Sequence, residues 1–341
     1  MPGAIAIEPL PTLRQGPRSG LISAYLFHPE SGPTPLAEAT VASGLPMDRG
    51  WVWLHLNLAD ARARAWLTRP DLMGAPAAAL FAQGEERLFL DTDGETVFGI
   101  LADFERGLEP ADDDVGRLRF AFRPGLLVTA RRHALVCVDE ARKEVEAGTR
   151  HAGPGAVLDA IHDRFADHLA RLVADMTDDL DSIEDRVVSD VVENLRLRLV
   201  PIRRAAVRLR RQVAAQASVL RGFSQRLREV DRDLPLSTTR IAGRLEAIDG
   251  DLASLQERSK LLQDEVAAKV AEETNNTLRA ISFMTAFLLP GSLIAGLFGM
   301  NVADLPFLHT PGGFWLVCAL VGLATAAFYL MIRRSSAPPG R

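Results

Sequence analysis

Residues 280–334 read AISFMTAFLLPGSLIAGLFGMNVADLPFLHTPGGFWLVCALVGLATAAFYLMIRR. Two runs in this stretch, 280–298 and 314–332, contain no charged side chain. Each is about as long as the ~20 apolar residues a helix needs to cross a bilayer core. A core helix of a water-soluble domain rarely stays apolar on every face over such a length. The two runs therefore predict a transmembrane hairpin, 280–334, whose outer turn starts at Gly299-Met300-Asn301. Arg279 precedes the first run, and Arg333 and Arg334 follow the second. The loop 299–313 holds no Lys or Arg and one acid, Asp304. By the positive-inside rule both termini face the cytoplasm and the loop faces outward. The chain start carries Glu8 and Pro9 without a basic leader and apolar core, so no signal peptide is expected. A single hairpin is too small to enclose a pore, so transport would require several copies around an axis.

Working backward from the hairpin, residues 20–150 alternate β-rich runs with Ala-rich helical ones. Strands are expected at 22–27, 51–56, 87–91, 97–104, 118–122, 126–130 and 135–138, from period-2 alternation and β-branched or aromatic content. Asp93-Gly94 marks a hairpin turn, and Asp60 an N-cap for a short helix ending at Leu67. A further helix is expected at 76–83. Residues 1–19 read as a flexible tail and 335–341 as a second one. Residues 151–279 read as long helices, at 157–188, 191–221 and from a cap at Ser237 onward. The third meets no breaker before Pro290, which makes it a stalk of ~60 residues, or ~90 Å, running into the first membrane span. The fold class is thus an α/β cytosolic domain, a long helical stalk and two C-terminal transmembrane helices.

Net charge is −5, which gives no electrostatic case for a nucleic-acid partner; the expected partner surface is membrane lipid. The two cysteines, Cys137 in an expected strand and Cys318 in the second span, offer no disulfide framework. No phosphate-cradling Gly-x-x-x-x-Gly-Lys loop and no Gly-x-Ser-x-Gly elbow occurs, so no enzyme activity is expected. Neither apolar run holds an ionisable acid or base for a proton relay, which favours passive movement.

Asn275, Leu278, Ser282, Thr285, Leu289, Ser292, Gly296 and Gly299 follow one another at alternating steps of three and four. This is one face of a helix in a left-handed bundle. Small residues on it allow close helix packing in lipid. Alternatively, its hydroxyls and amides line a water-filled path for a hydrated cation, with Leu278 and Leu289 as apolar constrictions. Elsewhere, Asp175, Asp178, Asp179, Asp181, Glu184 and Asp185 precede an Arg-rich helix that includes Arg203, Arg204, Arg208, Arg210 and Arg211. Two antiparallel helices paired by charge are expected; the alternative is that the acids sense cytosolic divalent ions. His162, with Asp159 or Asp163, is a candidate half of a metal site; His168, six residues on, lies on another face.

Gly299-Met300-Asn301 after a C-terminal span and before a second resembles the hallmark of the CorA-type divalent-cation transporters. Phe287-Leu288-Leu289-Pro290 and the run from Gly296 to Val302, with Pro306, resemble the zinc-transporting ZntB branch. Trp53-Leu54-His55-Leu56 and the run from Leu127 to Arg132 resemble segments of that family's cytosolic domain. The sequence departs from magnesium-type members in having Phe298, not Tyr, before the tripeptide, and Val302-Ala303-Asp304-Leu305-Pro306 after it. The resemblance implies a homopentameric funnel in the cell inner membrane, with no permanently bound cofactor and a divalent cation as cargo. Zinc is the expected ion, with magnesium, cobalt or nickel as alternatives; a non-conducting membrane-tethered scaffold or sensor is the other-class alternative. Asn301 would supply a ring of amides that hydrogen-bond the ion's water shell. Gly299 would permit the turn and Met300 would pack to hold it. Asp304 is either a cation attractor or a solvated loop acid, and His309 a weak zinc ligand.

Overall fold

The structure, a computed structural model, describes residues 20–82, 84, 86–107, 115–189, 195–229, 236–300 and 311–335. The chain divides into two compact units between Leu262 and Gln263.

In the first unit, β1 (Leu21–His28), β2 (Gly32–Pro35), β3 (Trp51–Asn57), β4 (Phe89–Asp93), β5 (Thr96–Phe104), β6 (Val115–Arg123) and β7 (Leu126–Arg131) form one sheet. Its order is β2-β1-β3-β7-β6-β5-β4. Every neighbouring pair is antiparallel except β3 and β7, which run parallel. Helices α1 (Glu38–Ser43), α2 (Ala61–Leu67), α3 (Pro70–Met73), α4 (Ala75–Ala82) and α5 (Val136–Glu146) are short. Helices α6 (Pro154–Val188), α7 (Leu195–Glu229) and α8 (Thr238–Phe298) are long. Every residue of β5 is buried. Because side chains alternate between faces, helices must cover both sides of the sheet there. α2, α3 and α4 pack together and on β3, β5 and β6, while α5, α6 and α7 form a second group against β3, β4, β5 and β6.

The parallel seam carries a buried polar cluster. His55 lies opposite Thr129 in the register. Thr129 Oγ1 accepts from Trp53 Nε1 at 2.9 Å, lies 2.8 Å from His55 Nδ1, and donates to the Leu54 carbonyl at 3.3 Å. Arg131 Nε donates to His55 Nε2 at 3.2 Å. The imidazole must therefore carry its proton on Nδ1 and be neutral, since a second proton would face the guanidinium. Burial, then the charges of Arg131 and Arg142, push its pKa down to about 3.

Residues 135–138 are a correction to the sequence expectation: they open α5 and form no strand. Asp103, fully buried on β5, accepts the N–H groups of Cys137 and Val138, each at 3.0 Å. Two otherwise orphaned donors at a helix start are thus satisfied from across the fold. Local β preference in Leu-Val-Cys-Val loses to this long-range cap. Cys137 accordingly sits buried in a helix, and burial raises its thiol pKa strongly. The Asp60 cap is present, with Arg62 N–H donating to Oδ1 at 2.8 Å. The β4–β5 hairpin closes through Gly94 and Glu95, with Gly94 at φ 57°. β4 begins at Phe89, opposite Ile100; two residues further along β5, buried Gln216 of α7 accepts the Ala102 N–H at 2.6 Å. α7 thereby completes a strand edge that the sheet leaves open.

The three long helices are held by ion pairs different from those expected. Asp181 and Glu184 of α6 both reach Arg258 of α8, at 2.5 and 2.7 Å. Asp163 accepts from Arg240 and Arg244, and Asp167 from Arg244. Arg210 of α7 pairs with Asp249 of α8, and Arg221 with Glu246. Asp181 and Glu184, two of the six acids in the expected run, thus take their cation from α8, where the sequence expectation looks to Arg-rich α7. Ser237 stands just before α8, and its N–H is held by Asp159 at 2.9 and 3.2 Å.

The second unit contains the end of α8 and helix α9 (Gly313–Ser335).

Candidate functional site

α8 and α9 are the two helices long and apolar enough to cross a membrane among the described residues, with mean hydropathy 1.9 and 2.0 over their most apolar windows. Neither window is buried within the chain. α8 continues through Pro290 to Phe298, although proline removes one helical hydrogen bond.

One row of α8 is half-buried: Ala286, Pro290, Gly291, Ile294 and Phe298. The matching row of α9 is Val317, Val321, Ala324, Thr325 and Phe328. A Cβ at Gly291 would come within 3.3 Å of Val321 Cγ1, so this glycine sets the closeness of the two helices. By contrast, Asn275, Leu278, Ser282, Thr285, Leu289, Ser292, Gly296 and Gly299 are all exposed. At 100° per residue their stripe is centred roughly 160° around α8 from the row that meets α9. The heptad face singled out from sequence is therefore the face that α9 leaves open.

Two of the three hydroxyls on this stripe, those of Thr285 and Ser292, have a defined polarity. Thr285 Oγ1 donates to the Ile281 carbonyl at 2.9 Å, and Ser292 Oγ to the Leu289 carbonyl at 3.1 Å. With their protons turned to the helix backbone, the oxygens present lone pairs outward. Waters around a cation point their hydrogens away from it, so a surface of acceptors suits a hydrated ion. Thr274, four residues before Leu278, donates to the Val270 carbonyl at 2.8 Å and has the same polarity. The heptad count passed over it by assigning the place to Asn275, although its i, i+4 relation to Leu278 was present in the sequence.

At the C-terminal end of α8, Gly299 N–H donates to the Ala295 carbonyl at 2.9 Å. A Cβ on Gly299 would lie 3.1 Å from that same carbonyl oxygen. Close approach, with no positive φ, is what favours glycine here. Met300 is exposed. Asn301, Asp304 and His309 lie outside the described residues.

His162 is buried on α6. Its Nδ1 lies 2.6 Å from the Leu158 carbonyl, and its buried Nε2 has no hydrogen-bond partner. Burial lowers its pKa, against the opposing pull of the Leu158 carbonyl and of Asp159 and Asp163. Both carboxylates are engaged elsewhere, by the Ser237 N–H and by Arg240 and Arg244. Burial works to raise Asp163, but the two guanidinium groups hold it below the usual carboxylate range. Among the described residues no group of three or more His, Cys, Asp or Glu side chains is placed to hold a metal ion. His168 lies apart, its Nε2 2.9 Å from Glu140 and its Nδ1 3.0 Å from Arg171.

The chain thus carries a mixed sheet, three long helices and two long apolar helical segments. The family described as CorA-like Mg2+ transporter protein matches residues 48–334. The chain belongs to this family. It is a divalent-cation transporter of the CorA family, and its family is one of transporters, not enzymes. The divalent cation transporter CmaX of Pseudomonas aeruginosa is 26% identical over 330 residues, covering 94% of this chain and 97% of CmaX. A solved structure of full-length CmaX superposes with a TM-score of 0.73 at 25% identity, over 94% of this chain and 99% of that one. The zinc transport protein ZntB of Pectobacterium carotovorum is 24% identical over 318 residues, covering 93% and 96% of the two chains. The CorA magnesium transporter of Methanocaldococcus jannaschii shares the fold at a TM-score of 0.64 and 17% identity, over 92% and 98% of the two chains.

Proposed function

We propose that this CorA-family chain assembles as a homopentamer in the cell inner membrane, with both termini cytoplasmic. It conducts a divalent cation, zinc foremost, along a path lined by the first membrane helix. The observation that carries this reading is the exposed stripe of α8, which lies away from α9 and presents acceptor oxygens. Copies arranged with these stripes inward enclose a path for an ion that keeps its water. Leu278 and Leu289 narrow it, and their apolar side chains favour closure by dewetting. Asn301 rings the outer mouth with amides, with Gly299 and Met300 forming the turn that presents it. Asp304 raises the local cation concentration at that mouth. His309 is a secondary zinc contact in the loop. His162 is left as a buried helix residue with no part in the path.

ZntB similarity favours zinc, while the family description and the CorA structural likeness favour a magnesium-type channel as the second reading. Magnesium holds its waters more tightly, so a path of acceptors without a full ligand cage serves either ion. The test is flux into liposomes loaded with an ion-sensitive dye, with zinc, magnesium, cobalt and nickel in competition. Zinc-dependent signal that the other ions compete poorly supports the zinc assignment. No zinc signal from intact pentamers sinks it, and a monomer or dimer without flux favours a pore-free scaffold.

A further inference from the structure

The second unit has a groove on its apolar surface that the transport reading does not use. Its volume is about 550 Å³, within the ~300–1,000 Å³ range of ligand-binding clefts. Phe283, Met284, Phe287, Thr325, Phe328 and Tyr329 line it. The Thr325 hydroxyl donates to the Val321 carbonyl at 2.8 Å, so it adds no free donor to the wall. The α8 residues of the groove are centred roughly 170° around the helix from the exposed polar stripe. A groove on that side faces away from the axis the stripes would share.

Both helices turn basic at the same end of the groove. Arg279 is exposed and stands one turn before Phe283, on the same row of α8. Arg333 follows Tyr329 by one turn in the sequence of α9. An apolar groove that opens toward cations at the level where a hairpin leaves the hydrocarbon matches a phospholipid with a negative headgroup. We propose that this groove holds an acyl chain of an anionic phospholipid whose net negative headgroup charge is met by Arg279. The inference rests on the reading of 280–298 and 314–332 as membrane spans. The occupant is a lipid, not a second copy of the chain, because the stripe that copies would share lies on the opposite side of α8.

The test uses the purified full chain in detergent, incubated with palmitoyl-oleoyl phosphatidylglycerol or phosphatidylcholine and examined by native mass spectrometry. Phosphatidylglycerol is expected to be retained about fivefold more than phosphatidylcholine, the ratio set by one arginine at the membrane surface. Arg279→Gln brings the two lipids to equal retention, and Thr325→Phe, which fills the groove, lowers retention of both. Equal retention by the unaltered chain, or a preference that survives Arg279→Gln, overturns the proposal. The same preparations are assayed for zinc flux in liposomes. Flux without lipid preference removes only the lipid site, and lipid preference without flux of any divalent ion removes only the transport reading.

Discussion

The sheet unit and the hairpin unit place the same kinds of residue in opposite surroundings. In the first, Val97, Ile100, Leu101 and Phe120 are buried, and two polar clusters near them are matched within the chain. His55, Thr129, Trp53 and Arg131 satisfy one another, and Asp103 satisfies two helix N–H groups. In the second, Phe287, Leu288 and Leu293 face outward, and so does the stripe from Ser282 to Gly299. Apolar side chains exposed on one side suit lipid. Small and hydroxylic ones exposed on the stripe suit close helix packing or contact with water. The first unit buries most of its apolar residues within the chain, whereas the second leaves both its apolar side and its polar stripe exposed.

The strongest way to break this contrast is at the stripe. Asn301→Ala should reduce zinc flux by about tenfold or more, with assembly retained. Ser292→Leu should do the same by filling the path, whereas Phe287→Leu, on the opposite side of α8, should leave flux near the unaltered rate. Equal effects at 292 and 287 in a liposome assay would remove the distinction between the faces.

The first unit should respond in stability and not in selectivity. Asp103→Ala should destabilise it by about 2–3 kcal/mol, since two buried N–H groups lose their acceptor. Denaturant unfolding followed by the tryptophans of β3 measures this. A smaller but characteristic effect is expected from pH. Unfolded, His55 takes up its proton near 6.5, whereas folded it does so at about 3. The unfolded chain therefore binds more protons between these values. Stability should be unaffected by this group above pH ~6.5 and should fall below it, by up to about 1.4 kcal/mol per pH unit. His55→Gln should flatten that part of the profile; an unchanged slope would deny His55 the role. The smallest effect belongs to the helix staple. Arg244→Gln removes two partly exposed pairs, with Asp163 and Asp167, and should lower stability by about 1 kcal/mol, less in high salt.

Much of this contrast was legible in the residues. Uncharged runs of spanning length need no tertiary partner to be recognised, because a bilayer tests each residue against the same apolar solvent. The heptad stripe was legible for a related reason: its spacing alone puts its members on one face. Strands with alternating patterns were also readable, β3 and β6 among them. Pro-rich β2 was not, since Gly32-Pro33-Thr34-Pro35 reads as a turn until it pairs along the edge of β1.

What failed depended on chain segments far apart in sequence. Residues 135–138 have strand-like composition, but Asp103, more than thirty residues earlier, caps them as the start of a helix. Asp181 and Glu184 read as partners for the next helix, but charge composition does not say that Arg258 of α8 lies within reach. His162 looked available for a metal because the sequence does not show that Asp163 is held by Arg240 and Arg244.

Local pattern and solvent preference were therefore enough to specify the spans, the stalk helix and the polar face, each being a property of one segment. Which face of α8 meets α9, which stays open, and which distant side chain caps or neutralises another followed only from packing. Those outcomes depend on distances of a few ångströms between segments, and residue order alone does not contain them.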